Sequence, residues 1–332
     1  MSLSDGSQQR APAMGHDRVS PLGQEPEHRT VSAMIHVEEV GDGIFAFIQR
    51  DGSWYLNNAG IIPERKLSYF VDSAATVSRT KVIIEEARRL GVGDRVGMIA
   101  THHHGDHTNG NATIDPTFIL AHASVPAEMA QGFAVPPPGL FNDVDWGEIV
   151  VRQPDVVFER ELDLQIGERL VRVLHFGRPA HTLGDAVVYF PQDHVLFAGD
   201  LAFNGGTPFA LMGSVQGWLD TLVALRALEV TVVVPGHGDP CGMDVFDGIE
   251  RYLRFVLELA GNALREGVSP LEAAVNTDLG DFAQWHDSER IVGNLHRAMA
   301  ELSGASPGSP INIQTAFVDM LKYNGGPLRC FA

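Results

Sequence analysis

The segment Thr101-His102-His103-His104-Gly105-Asp106-His107 sets four metal-ligand side chains at His-x-His-x-Asp-His spacing, directly after the apolar stretch Val96–Ala100. In an extended chain alternate side chains share a face, so His102 and His104 can grip one cation while His103 points away. Gly105 lets the chain bend and turns Asp106 and His107 toward a second position. Further candidates stand where other apolar runs end: Asp200 in Leu196-Phe197-Ala198-Gly199-Asp200, and His237 in Val234-Pro235-Gly236-His237-Gly238. His181 lies in the loop Arg178-Pro179-Ala180-His181-Thr182-Leu183-Gly184-Asp185. Strand exits along one sheet edge are where such sites gather in open α/β sheets. The seven groups, five imidazoles and two carboxylates, suffice for two cations with one shared carboxylate and open positions for solvent. That is the stoichiometry of a hydrolase. Zinc suits the donor set, and manganese or iron is compatible with it.

The remaining histidines carry weaker signals. His16, His28 and His36 fall in or beside a polar N-terminal stretch, and His194, His286 and His296 have no partner motif. His122 and His175 end strands near the motifs and read as hydrogen-bonded structural groups. Cys241 and Cys330 are the only cysteines, too few for a disulfide framework or a cysteine zinc cage.

The order and spacing of these motifs resemble the metallo-β-lactamase superfamily over about Val37 to Asp239. The resemblance implies a four-layer αββα sandwich with the site at one edge, between the sheets. By it His102, His104 and His181 hold a first metal, Asp106, His107 and His237 a second, and Asp200 bridges them. Asp72, after the apolar run Leu67–Val71, matches the family's early aspartate and is expected to hydrogen-bond behind the ligands. The best-known metal-dependent β-lactamases carry Cys where this chain has Asp200, and the family's di-iron oxygen reductases have His-x-Glu where it has His102-x-His104. Both branches are therefore disfavoured.

The expected reaction is attack of metal-bound hydroxide on an acyl thioester, ester or lactone, with Asp106 orienting the nucleophile and handling a proton. The alternative is a cyclase that polarises a polyketide carbonyl for condensation without water attack. The segment Phe203–Ser214, rich in Phe, Leu and Met and punctuated by glycine, predicts an apolar wall beside Asp200 with Phe203, Phe209 and Met212 against the substrate. Phe133, Trp146 and Pro136–Pro138 are candidate further walls. This segment, the stretch Asp51–Gly60 and the C-terminal helices resemble the aromatic polyketide cyclase-thioesterase branch. The expected substrate is accordingly a small, largely apolar, aromatic acyl compound, free, coenzyme A-bound or carrier-bound.

These groups need a scaffold, and the chain supplies one. Its 332 residues include 44% hydrophobic and 20% charged, enough for a sizeable core. Apolar runs at Ile44–Ile48, Trp54–Ile62, Leu67–Val71, Val96–Ala100 and Phe118–Leu120 predict strands, with a helix over Thr80–Leu90. Further strands are expected at Val156–Phe158, Leu162–Ile166, Leu170–Leu174, Ala186–Phe190, Val195–Ala198 and Val230–Val234, with a helix over Gly217–Leu228. From Val245, helical periodicity takes over at Ile249, Leu253, Val256, Ala260 and Leu264, and again at Pro270–Ala274 and Ser288–Leu302. The expected organisation is a disordered arm (1–33), dispensable for folding and metal binding, a metallo-β-lactamase-like domain (34–244) and a helical extension packed on it (245–332).

Asp plus Glu number 42 against 24 Lys plus Arg, a formal charge of −18. That balance argues against a nucleic-acid partner. It would also repel an acidic carrier protein unless Arg65, Lys66 and Arg152 form a landing patch. No secretory signal or membrane span is read, which makes the cytoplasm the expected location. A homodimer is compatible with the sequence, which does not specify oligomeric state.

Overall fold

The structure is a computed structural model that describes residues 35–132 and 135–332. The N-terminal arm and Phe133 lie outside the described residues. The first sheet contains β1 (Ile35–Gly41), β2 (Ile44–Gln49), β3 (Ala59–Ile62), β4 (Ser68–Val71), β5 (Val96–Ile99), β6 (Phe118–His122) and β7 (Val156–Phe158), side by side in that order. β1 to β4 form an antiparallel meander, and β4 to β7 run parallel. Helices α1 (Val77–Arg89), α2 (Gly105–Thr108), α3 (Asn111–Ile114) and α4 (Val125–Gln131) lie in the parallel crossovers. The second sheet takes β8 (Glu161–Ile166), β9 (Arg169–Leu174), β10 (Val187–Phe190), β11 (Val195–Phe203) and β12 (Val232–His237), in the order β12-β11-β10-β9-β8. β11 and β12 are parallel, joined across α5 (Val215–Leu225).

β3, β4, β5 and β10 are buried at every position. Continuous apolar runs, rather than alternation, suit strands covered on both faces. Ile44, Ile48, Val71 and Ile99 of one sheet meet Val188, Val195, Phe197 and Val234 of the other in a middle apolar layer. A second cluster puts Phe47, Ile61 and Met98 under Ile83 and Ala87 of α1. A third joins the outer face of the second sheet to α5 and to α6 (Val245–Glu266), α7 (Pro270–Val275), α8 (Arg290–Leu302) and α9 (Ile313–Asn324). The layers are those of an αββα sandwich, with the C-terminal helices sharing a core with the second sheet.

Several boundaries differ from the sequence reading, each for a local reason. Trp54–Asn58 forms a turn before β3, closed by Leu56 N donating to Ser53 O at 3.0 Å. Its apolar side chains mimic a strand because distant segments cover them, Trp54 lying against Phe141 and Phe209. α1 begins at Val77 because Thr76 caps it, the hydroxyl accepting from Arg79 N. α5 starts at Val215 for the same reason, with Ser214 accepting from Gly217 N. β11 runs on to Phe203, so Asp200 lies within a strand and Phe203 ends that strand instead of opening a loop. Leu264 on α6 is exposed. β1, α4 and α9 have no counterpart in the sequence reading: β1 is a charged edge strand, α4 spans only 7 residues, and α9 buries only Ala316 and Met320.

Candidate metal centre

β5 delivers the His-rich segment, and α2 makes the bend. His104 precedes α2 with extended backbone, and Gly105, Asp106, His107 and Thr108 form its single turn. His181 comes from the loop between β9 and β10, His237 ends β12, and Asp200 projects from β11. The sheets thus bring together seven residues drawn from across 136 positions of chain.

Two glycines make room for Asp200. Gly199 adopts φ +50°, and a side chain there would lie 2.8 Å from Thr101. The register of β11 against β12 shifts at this residue, a bulge that turns the next carboxylate into the cleft. On the neighbouring strand a Cβ at Gly236 would meet Asp200 Oδ1 at 1.9 Å. Only a glycine fits beneath that carboxylate.

The ligand atoms converge in two groups, His102, His104, His181 and Asp200 in one and Asp106, His107 and His237 in the other, each spanning no more than 4.8 Å. His104 Nδ1 lies 3.1 Å from His102 Nε2 and 2.8 Å from His181 Nε2. Asp200 reaches both groups, with Oδ2 3.2 Å from His181 Nε2 and Oδ1 3.0 Å from His107 Nε2. His237 Nε2 lies 3.2 Å from Asp106 Oδ2 and 3.5 Å from Asp200 Oδ2. Six of the seven are buried, and His104 is partly so.

Hydrogen bonds behind the ligands settle which nitrogens face inward. Asp72 accepts from Thr101 N at 2.7 Å and from Thr101 Oγ1 at 2.8 Å, and its Oδ2 lies 2.8 Å from His107 Nδ1. Thr101 Oγ1, its own proton spent on Asp72, accepts from His102 Nδ1 at 3.0 Å. His181 Nδ1 donates to the Phe209 carbonyl at 2.5 Å. The Nε2 lone pairs of His102, His107 and His181 are therefore left aimed into the cleft. His107 Nε2 and Asp200 Oδ1 are buried acceptors with no hydrogen bond. Such acceptors crowd together at a cost unless a cation or proton sits among them. The donor set fits divalent metal ions.

The electrostatics say the same. Burial disfavours charge on His107, but Asp200, Asp106 and Asp72 overcome it and hold its pKa well above the usual imidazole value. On His237 the burial penalty is likewise outweighed by Asp200 and Asp106, and its pKa rises to about 9. The same concentration of buried negative charge favours a cation among these groups. Burial instead pulls His102 and His104 well down and His181 to about 4, leaving three neutral donors.

His103 turns away from this cluster toward Glu128, 3.3 Å from its carboxylate. His122 and His175 stack on each other at 3.9 Å between ring centroids, and His175 Nδ1 bonds the Asp185 carbonyl at 2.8 Å. Above the cluster opens an apolar pocket. Phe203, Phe209 and Met212 line it as read from sequence, as do Pro136 and Pro137. Trp146 is not on its wall: it stands behind Tyr55, ring centroids 4.8 Å apart.

Trp54, Tyr55, Phe141, Arg290 and Phe317 also line this wall, although no sequence motif marks them as pocket residues. Tyr55 sits at φ +64° on the turn that imitates a strand, and Arg290 lies 4.0 Å over the Trp54 ring. Their only signal was a large aromatic or cationic side chain without a motif.

An Asp72 pair of variants tests the support behind the ligands. Asp72 sits at φ +61°, a conformation asparagine tolerates and alanine does not. Asp72→Asn is expected to weaken metal binding about 10- to 100-fold with the fold kept. Asp72→Ala should add about 1–2 kcal/mol of backbone strain. Chelator competition and thermal unfolding read the two effects separately, and wild-type metal affinity in Asp72→Asn would overturn the role.

The metallo-beta-lactamase superfamily model matches residues 54–237, a span that contains the whole ligand set, and the chain belongs to that superfamily. It is 33% identical to the hydroxyacylglutathione hydrolase of Rhodospirillum rubrum over 144 residues, 42% of this chain and 47% of that protein. It is 30% identical to that of a Synechococcus strain over 171 residues, 50% of this chain and 58% of that protein. The chain thus spans about half the length of the curated relatives it matches. Solved structures agree on the fold. A metallo-beta-lactamase from Pontibacter korlensis superposes with TM-score 0.55 at 18% identity, covering 66% of this chain and 99% of that one. The DIM-1 metallo-beta-lactamase gives 0.53 at 17%, covering 67% and 97%.

Proposed function

We propose that this protein is a dinuclear metal-dependent hydrolase of acyl thioesters or related esters and lactones. One observation carries the reading: seven ligands converge, with acceptor atoms left bare, and five of them, His104, Asp106, His181, Asp200 and His237, line an apolar pocket. Cations bound there would polarise an acyl oxygen and lower the proton affinity of a water. Zinc fits the imidazole and carboxylate donors, and manganese or iron would also be accepted.

The protein's own groups do the rest. Asp106 is buried, which alone would raise its pKa, but His107 and His237 pull it below the usual carboxylate value. It stays ionised, able to accept a hydrogen bond from the attacking water and later to pass a proton to the departing thiol or alcohol. Phe203, Phe209 and Trp54 exclude bulk solvent and favour an apolar, aromatic acyl group.

The relatives' name supports the thioester, since hydroxyacylglutathione is one. A polyketide acyl chain would suit the same walls, and a cyclase would use the same ligands without water attack. The named relatives favour hydrolysis. A free or coenzyme A-linked substrate is preferred to a carrier protein, because Arg152, one residue of the landing patch, is already paired with Asp155 at 2.8 Å. The protein acts on small molecules and not on nucleic acid, in keeping with its −18 charge. No helix among the described residues is long and apolar enough to cross a membrane.

Elemental analysis together with short-acyl, long-acyl and aryl thioesters and esters tests the proposal. Two ions per chain, aryl thioesters cleaved best with uptake of one solvent oxygen, and selectivity reduced about tenfold or more in Phe209→Ala are expected. A preference for small polar acyl groups that Phe209→Ala leaves unchanged would overturn the apolar-pocket part. Products without solvent oxygen would show the cyclase.

A further inference from the structure

One face of α8 carries three polar side chains that are almost wholly buried: Arg290, Asn294 and Arg297, at 2%, 0% and 1% exposure. Their spacing of four and three residues stacks them along one stripe of the helix. All three donate to the main chain of one loop, the one between β11 and α5, beside other partners: Arg290 pairs with Asp287 at 2.9 Å, Asn294 Nδ2 donates to Tyr252 Oη at 3.0 Å, and Arg297 Nη1 donates to Ser309 O at 2.8 Å. Arg290 Nη1 donates to Thr207 O at 2.9 Å, and Arg297 donates from Nε and Nη2 to Leu211 O at 3.1 and 2.9 Å. Asn294 works from both ends of its amide: Nδ2 donates to Pro208 O at 2.8 Å, and Oδ1 accepts from Ala210 N at 2.7 Å. The residue bracketed by those two bonds is Phe209. Its ring lies on Gly293, where a Cβ would meet the ring edge at 2.6 Å.

Phe209 is also the residue whose carbonyl receives the His181 Nδ1 proton. Three residues on, Met212 Sδ lies 3.5 Å from His104 Nε2. The loop held by α8 therefore backs two of the three imidazoles in the first ligand group. Burying three polar side chains is costly unless they find partners, and here five of their hydrogen bonds depend on one loop conformation. From this geometry we infer that Asn294, with Gly293 beneath Phe209, is a positioning residue for the first metal. It fixes the Phe209 carbonyl and through it the tautomer and direction of His181. The C-terminal helices thereby become part of the metal site although they supply no ligand. The inference rests on the metal reading above.

The test measures metal and not turnover. Full-length wild type, Asn294→Ala, Gly293→Ala and His296→Ala are loaded with Co²⁺ or Zn²⁺ and competed with a chelator. Asn294→Ala and Gly293→Ala should release one of two ions about 10- to 100-fold more readily and shift the visible spectrum of that cobalt ion. The second ion should stay at wild-type affinity. Gly293→Ala removes no hydrogen bond and improves helix propensity, so it carries the test if Asn294→Ala fails to fold. His296→Ala, on α8 like the other two, breaks a 3.0 Å pair with Asp319 of α9 without removing a bond to the loop. It should lower the melting temperature and leave both ions in place. Wild-type affinity for both ions in Asn294→Ala and Gly293→Ala overturns the inference alone, as does an equal weakening in His296→Ala. A wild type that never holds two ions overturns the metal reading and this inference with it.

Discussion

Asp200→Ala is expected to leave a folded protein that binds fewer than two ions and has lost at least about a thousandfold in turnover. Among the described residues, Asp200 is the one whose carboxylate oxygens reach both ligand groups, 3.0 Å from His107 Nε2 and 3.2 Å from His181 Nε2. Burial alone would raise its pKa, yet the surrounding imidazoles His237, His107 and His181 hold it well below the usual carboxylate value. Removing it takes away the shared negative charge and leaves Asp106, on the side of His107 and His237, as the remaining carboxylate of the ligand set. Folding should survive because the change only shortens a side chain and touches none of the three apolar layers. Metal content by elemental analysis, circular dichroism and turnover on the best thioester check the three parts. Full activity in the variant, or one ion in a fully active wild type, would refute the bridging role.

Asp106→Asn should cost about 100- to 10,000-fold in kcat, the span expected when a group that handles protons is lost. The amide keeps the shape and one ligating oxygen but cannot take a proton from water. Asp106 lies at the pocket floor, 3.2 Å from His237 Nε2. The ion held by His102, His104 and His181 should remain, since Asp106 is not in that group. In wild type the Asp106 carboxylate is already ionised above the usual carboxylate range. Protonating it therefore accounts for loss of activity only in acid, as pH falls through its lowered pKa. A variant with wild-type kcat and unchanged KM would assign Asp106 to metal binding alone.

How much of this was legible from the chain depends on distance along it. His102, His104, Asp106 and His107 could be read because strand alternation and a single glycine bend are local geometry. The buried strands could be read because β-branched and aromatic runs covered on both faces leave few polar interruptions. Asp72 was legible only as a match to a family pattern. That it receives three hydrogen bonds, two from Thr101 and one from His107, depends on β4 lying beside β5. Trp54–Asn58 misled because apolar content predicts burial and not backbone conformation. Trp54 is buried by Phe141, Phe209 and Arg290, which lie far along the chain.

The sequence by itself determined the chemistry: which side chains can bind a cation, in what order, and that Asp rather than Cys stands at position 200. Only the tertiary structure decided how those groups are used. The bulge at Gly199 and the bare backbone of Gly236 let one carboxylate face both ligand groups. The Phe209 carbonyl, held in place from α8, turns His181 Nε2 inward. A ligand's identity is carried by its side chain, whereas the directions of His107 and His181 are set by hydrogen bonds from segments that lie distant in sequence. Sequence spacing does not encode those distances.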